Sequence, residues 1–187
     1  MAIAFLFLGS REESIGELAM APFQFRFLKR QSTWIPLAMA GALSALDLSR
    51  SDKSLEKGGL KRSFGPEDAL FASATSYNAG LWEEAVFRGW LMPVVREYYG
   101  SDLVANLSVA ALFSLAHISA ENPIPWPQFA LGYYLGQVTL DNSWSIAEAI
   151  FVHAWWDVIV ISAAYSLEKT TGRSRPMVML PPLQIYF

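Results

Sequence analysis

The chain has 187 residues, of which 53% are hydrophobic and only 17% are charged. Soluble domains carry about 25% charged residues, so this composition favours a membrane protein. The net charge of −3 argues against a strongly basic nucleic-acid binder, and the lack of cysteine excludes disulfides, thiol nucleophiles and cysteine-ligated metal sites.

The first 48 residues contain two apolar stretches that fall short of a membrane span. The run at the N-terminus is short and follows no basic region, so we expect no cleavable signal peptide. Residues 33–48 form a stretch of 16 residues, whereas a spanning helix needs about 20. Pro36 lies near its start, where a first helical turn tolerates proline. We interpret residues 1–48 as a reduced N-terminal part that either spans the membrane or is anchored at its surface.

Residues 49–68 are polar, contain Gly58 and Gly59, and are rich in lysine and arginine. Glycine pairs and charged residues between apolar segments are typical of loops. We therefore predict a linker at 49–68. Its basic residues, and those of the tail at 167–187, place both segments on the cytoplasmic side by the positive-inside rule.

Four apolar segments follow, at 69–95, 103–118, 128–140 and 145–166. Gly100-Ser101-Asp102 separates the first two and offers a helix cap. Three prolines in the loop 119–127 disfavour regular helix there. Residues 69–166 therefore predict an all-α polytopic membrane bundle with four core helices. A soluble helical bundle is the alternative.

The first core segment carries two adjacent glutamates and an arginine. Glu84 and Arg88 are four residues apart, so on a helix they share a face and pair. Glu83 is offset by about 100° and points elsewhere. The stretch indicates either a structural ion pair beside a solvated glutamate or a general base at Glu83.

Both histidines of the chain lie in apolar segments. Phe113 precedes His117 by four residues and can support its ring. His153 and Asp157 share a helix face by the same spacing. Ionisable residues within membrane segments are candidates for function, although a buried structural histidine is the alternative for each.

Other polar or small residues in these segments have structural interpretations. Glu148 lies near a helix start, where a carboxylate is stabilised by the helix dipole. Gly132 and Gly136 are spaced for close helix packing. Ser114 lies near His117 but lacks the setting of a serine nucleophile.

The motifs Glu83-Glu84-x-x-x-Arg88, Phe113-x-x-x-His117 and His153-x-x-x-Asp157 occur in this order on successive predicted helices. This arrangement resembles the CPBP (Abi) family, the CAAX prenyl-endopeptidase and bacteriocin-processing group of intramembrane proteases. The resemblance covers about residues 69–166. It implies a peptidase that attacks with water, in a cavity between helices of an integral protein of a bacterial cell membrane.

The resemblance also implies roles for the motif residues. Glu83 would activate water with help from His117, His153 and Asp157 would line the oxyanion side, and Glu84 and Arg88 would hold the motif helix. Family members commonly have asparagine where this chain has Asp157. The implied partners are the lipid bilayer and a peptide or protein substrate, which is prenylated in the CAAX branch.

Three alternatives stay open. No cofactor is predicted, but zinc on Glu83, His117 and His153 would make the protein a metalloprotease. The chain could instead be a membrane immunity or scaffold protein without catalysis. A proton relay or transporter also uses buried glutamate and histidine.

Overall fold

A computed structural model describes residues 13–52, 64–119 and 123–171. Every regular element in these ranges is helical, which confirms the all-α prediction. The α-helices are α1 Ile15–Ala19, α2 Gln31–Asp52, α3 Pro66–Glu84, α4 Met92–Tyr99, α5 Asp102–Leu115, α6 Trp126–Asp141 and α7 Ala147–Thr171. A π-helical segment at Ala85–Leu91 joins α3 to α4.

The four predicted core segments correspond to α3–α4, α5, α6 and α7. Helix α3 begins where Pro66 occupies the first turn and the Asp68 carboxylate accepts a hydrogen bond from the Gly65 amide at 2.8 Å. It runs through the π-helical segment into α4, which ends at Gly100 with a φ of 70°. Glycine adopts this left-handed conformation without strain, so the chain turns there. Ser101 then caps α5, as predicted.

Helix α7 is the central element and packs against α2, α3 and α6. Helix α3 runs antiparallel to it, because Glu84 contacts His153 while Phe71 contacts Tyr165. The two helices approach closely at Gly80, where a Cβ atom would lie 2.8 Å from the backbone nitrogen of Ala154. This close approach brings the end of α3 against the middle of α7.

Helices α5 and α6 also pack closely, as predicted from the glycine spacing. A Cβ atom on Gly136 would lie 2.0 Å from Oδ1 of Asn106, and one on Gly132 would lie 3.0 Å from Cδ1 of Phe113. Only glycine allows the two backbones this separation. Phe113 of α5 is thereby held against α6.

Residues 13–30 run out and back along the first part of α7. Glu13 accepts a hydrogen bond from the Ile146 amide at the start of α7. Further along, the Trp155 indole donates to the Pro22 carbonyl at 2.8 Å, and Arg30 returns to pair with Glu148. Trp155 follows Ile146 by nine positions, so this hairpin reaches about 13 Å along the bundle. Its backbone polar groups are largely paired within short helical turns.

Glu148 has a structural role, as its position near the helix start predicted. It is 1% exposed and accepts hydrogen bonds from the side chains of Thr33 and Asn142, at 2.9 and 2.8 Å. Ser32 and Arg30 donate to it as well. The carboxylate therefore fixes the start of α2 against the start of α7.

By length and hydropathy, residues Ala147–Ser166 of α7 form the one described helix able to cross a membrane, and α5 is a shorter apolar helix. Helix α2 directs a row of large apolar side chains outward, namely Trp34, Ile35, Met39, Leu43 and Leu46. Their exposure gives the outer face of the bundle an apolar surface, which suits contact with lipid.

Two local predictions were wrong. Helix α2 starts at Gln31, so Pro36 lies inside the helix beyond its first turn. Helix α6 starts at Trp126, so the last part of the proline loop is helical, because Pro127 falls in a first turn that needs no amide donor. Residues 1–12, 53–63, 120–122 and 172–187 lie outside the described residues, and with them most of the predicted linker and tail.

Candidate active site

The two motif glutamates occupy the last turn of α3 and are both buried, Glu83 at 4% exposure and Glu84 fully. Glu84 Oε1 accepts a hydrogen bond from Nη1 of Arg88 at 2.9 Å. The predicted pair is therefore formed, although Arg88 lies in the π-helical segment rather than in a regular α-helix. Neither group is exposed, so water screens this ion pair little.

Arg88 anchors the ion pair to two other helices. Its Nη2 donates to the Gly132 carbonyl on α6 at 2.7 Å, and its guanidinium carbon lies 4.5 Å from the ring centre of Phe113 on α5. A planar guanidinium satisfies a carboxylate, a carbonyl and an aromatic face at once. These contacts offset the cost of burying the charge.

His117 lies just after the end of α5 and is 1% exposed. Its Nδ1 lies 2.6 Å from the Phe113 carbonyl oxygen. A carbonyl only accepts, so Nδ1 carries the hydrogen and Nε2 is the atom that faces the interior. That Nε2 lies 3.5 Å from Oε2 of Glu83. The Phe113 ring packs against the imidazole at a centroid distance of 4.5 Å, as the spacing predicted.

His153 approaches the same carboxylate from α7. Its Nδ1 lies 2.7 Å from Oε1 of Glu84, and its Nε2 lies 3.9 Å from Oε2 of Glu83. Oδ2 of Asp157 is 3.6 Å from that Nε2, beyond hydrogen-bond distance. The residue that orients His153 is therefore Glu84. Asp157 instead lies beside Nε2, next to Glu83.

Six ionisable residues thus converge from three helical regions, and the structure brings all the predicted site residues together. Three carboxylates share the interior with one guanidinium and two imidazoles, and each is at most 4% exposed. If both imidazoles were neutral, the set would carry two uncompensated negative charges. Burying such an excess of charge in an interior without water is costly.

Ser114 and Glu148 do not join the converging set. The Ser114 hydroxyl donates to the Pro125 carbonyl at 2.8 Å, which ties the end of α5 to the start of α6. Glu148 is committed to its own hydrogen bonds at the start of α7.

Sequence reasoning missed the Gly132 carbonyl as a partner of Arg88. The glycine spacing located the close packing, but a backbone acceptor leaves no signal in the residue types.

A zinc ion would need three or more protein ligands at about 2.0–2.2 Å from one point. Within the described ranges, no group of three or more histidine, aspartate or glutamate side chains is arranged to hold a metal ion. The alternative zinc ligand set of Glu83, His117 and His153 stays a prediction, with Oε2 of Glu83 3.5 Å from Nε2 of His117 and 3.9 Å from Nε2 of His153.

The fold and the site define a helical bundle with glutamates and histidines clustered in its interior. Residues 65–159 match the family model described as Type II CAAX prenyl endopeptidase Rce1-like. The match includes all the motif residues and covers 95 of the 187 residues. The chain therefore belongs to this family, which confirms the resemblance. Proteins of this family are polytopic membrane proteins, so the predicted polytopic membrane bundle is confirmed as well. No curated protein and no solved structure matches the chain.

Proposed function

We propose that the protein is an intramembrane endopeptidase that hydrolyses a peptide bond with water activated by Glu83. The observation that carries this proposal is the distance of 3.5 Å between Oε2 of Glu83 and Nε2 of His117 in the buried interior. A water molecule beside this pair can lie within hydrogen-bond distance, about 2.8 Å, of the carboxylate oxygen and the imidazole nitrogen at once. Proton removal from that water is the step that peptide hydrolysis requires.

Glu83 serves as the general base. His117 is held with its hydrogen on Nδ1 by the Phe113 carbonyl, so its neutral Nε2 offers a lone pair. The attacking water donates one hydrogen to Glu83 and the other to His117, which directs its oxygen lone pair at the substrate carbonyl. As the new C–O bond forms, the proton passes to Glu83 and the carbonyl electrons move onto oxygen.

His153 and Asp157 serve the oxyanion side. Nε2 of His153, when protonated, donates to the developing oxyanion, and Glu84 fixes that orientation by accepting from Nδ1. Donors held in place before reaction stabilise such charge most effectively. The tetrahedral intermediate then breaks its C–N bond, and Glu83 returns the proton to the leaving amine. The products are a carboxylic acid and an amine, and no covalent enzyme intermediate forms.

The substrate class follows from the family description, which names CAAX prenyl endopeptidases. We propose that the substrate is a peptide with a prenylated cysteine near its C-terminus and that it is cleaved within a cell membrane. The family resemblance suggests that this membrane is bacterial. An apolar groove of about 390 Å³ between α3 and α7 supports this choice, since it is lined by Tyr77, Ala154 and Val158 among others. Ala154 directly follows His153, so the groove reaches the turn of α7 that carries this histidine.

Cleavage of a farnesylated peptide by the purified protein in liposomes tests the proposal. We expect Glu83→Gln to lower kcat by about a thousandfold, because the amide cannot accept the water proton. Glu97→Gln, on the exposed end of α4, is the matched control and should cleave as the wild type does. Equal cleavage by the Glu83→Gln protein would overturn the proposal.

The same assay separates the alternatives. Loss of cleavage with EDTA and its return with zinc would establish the metalloprotease instead. A cellular immunity effect that persists with Glu83→Gln would establish a role without catalysis.

A further inference from the structure

We infer that Gly132 on α6 is a positioning residue for both site histidines. The expected effect on kcat rests on the proposed function. The expected effect of Gly132 on the positions of the two imidazoles does not. Gly132 belongs to none of the three motifs that identify the family. It lies 15 residues after His117 and 21 before His153, on a helix that contributes no ionisable group to the converging set.

The first support is the backbone of Gly132. Its carbonyl oxygen accepts from Nη2 of Arg88 at 2.7 Å. Arg88 in turn donates through Nη1 to Glu84, and Glu84 Oε1 accepts from Nδ1 of His153 at 2.7 Å. One backbone acceptor on α6 therefore fixes, through two side chains, the direction in which Nε2 of His153 points.

The second support is that Gly132, as a glycine, has no Cβ atom. A Cβ atom there would lie 3.0 Å from Cδ1 of Phe113 and 3.2 Å from Nη2 of Arg88. Phe113 holds His117 twice, by its ring at 4.5 Å and by its carbonyl oxygen at 2.6 Å from Nδ1. The Phe113 ring also carries the Arg88 guanidinium at 4.5 Å. The supports of the two imidazoles thus meet at the same glycine.

An alanine at this position has no free space on that side. Ala110 Cα would be 3.5 Å away, and the Phe113 ring also packs edge-on against Phe87 at 5.1 Å. The ring and the guanidinium must therefore shift together by a few tenths of an ångström. Because the ring packs on both imidazoles and the guanidinium holds His153 through Glu84, a single methyl group moves both imidazoles relative to Glu83. Displacements on this scale are enough to lower the rate of an aligned reaction by about tenfold to a hundredfold.

Gly132→Ala is tested against Gly136→Ala. The second variant perturbs the same pair of helices, since its Cβ would lie 2.0 Å from Oδ1 of Asn106, but its three nearest atoms all belong to Asn106 rather than to Arg88 or Phe113. The chain contains two histidines, so ¹⁵N-histidine labelling gives two imidazole spin systems by NMR in detergent micelles. We expect Gly132→Ala to shift both sets of signals and to lower kcat by about tenfold to a hundredfold with KM unchanged. Gly136→Ala should leave the imidazole signals in place.

Arg88→Lys probes the same link from the other side if Gly132→Ala does not fold. Lysine retains a charge but cannot donate to Glu84 and Gly132 together. We expect the His153 signals to shift more than the His117 signals, because the Phe113 carbonyl still holds Nδ1 of His117. Wild-type imidazole signals in folded Gly132→Ala, or equal shifts in Gly136→Ala, would overturn the inference. If the wild type cleaves no prenylated peptide, the proposed function fails, while the imidazole signals still decide the role of Gly132.

Discussion

Glu84 on α3 and His153 on α7, 69 residues apart in the chain, are joined by a buried contact of 2.7 Å between Oε1 and Nδ1. The same carboxylate oxygen accepts from Arg88 at 2.9 Å. Glu84 therefore holds its own helix through the arginine and sets the ring of a histidine on another helix. The adjacent Glu83 faces the Nε2 side of that histidine. Two neighbouring glutamates thus act on opposite nitrogens of one imidazole.

Replacement of Glu84 by glutamine should separate this orienting role from the role of Glu83. The amide loses the charge that holds Arg88 and His153 together, so the His153 ring is less well fixed, as when the carboxylate of a serine-protease triad is replaced. We expect kcat for the farnesylated peptide to fall by about a hundredfold, less than for Glu83→Gln. Steady-state kinetics of the two variants checks this order. A loss in Glu84→Gln as large as that in Glu83→Gln would contradict the assignment of distinct roles.

The role of Asp157 is decided by comparing asparagine with alanine at that position. Asp157 Oδ2 lies 3.6 Å from Nε2 of His153. If the residue supplies a hydrogen bond to the oxyanion, asparagine offers an N–H donor in the same place. We expect Asp157→Asn to stay within about tenfold of the wild-type kcat, and Asp157→Ala to lose about a hundredfold. Equal losses in both variants would instead indicate that the negative charge of the carboxylate is required.

Sequence spacing predicted the parts of this site that lie on one helix. The Glu84–Arg88 pair and the packing of Phe113 on His117 both follow from neighbours four residues apart. The shared location of the motifs came from the family resemblance. The four core helices followed from the apolar segments, since turn residues separate them clearly.

The contacts between helices were not predictable from the chain. Whether Glu84 or Asp157 orients His153 depends on how α3 crosses α7, and the crossing is set by Gly80 against the backbone of Ala154. The π-helical turn at Ala85–Leu91 contains Gly89, but one glycine within an apolar helical segment does not by itself predict such a turn. The hairpin at 13–30 is specified by contacts with α7 that span more than 100 residues of chain.

The hydrogen bonds of Glu148 predict that its replacement lowers the free energy of unfolding without directly lowering the cleavage rate. Glu148→Ala removes the acceptor of Thr33, which is fully buried, and of Asn142 and Arg30. Buried donors left without an acceptor keep their desolvation cost, so we expect the free energy of unfolding to fall by about 2–3 kcal/mol. Denaturant titration in mixed micelles measures this change, with exposed Glu97→Ala as the control near zero. The cleavage rate per folded molecule should stay within about threefold of wild type, because Glu148 contacts none of the converging residues. The substitution can then affect the rate only through a small change in the position of the site residues. A rate loss of a hundredfold in folded Glu148→Ala would show that the start of α7 is coupled to His153 more tightly than these contacts indicate.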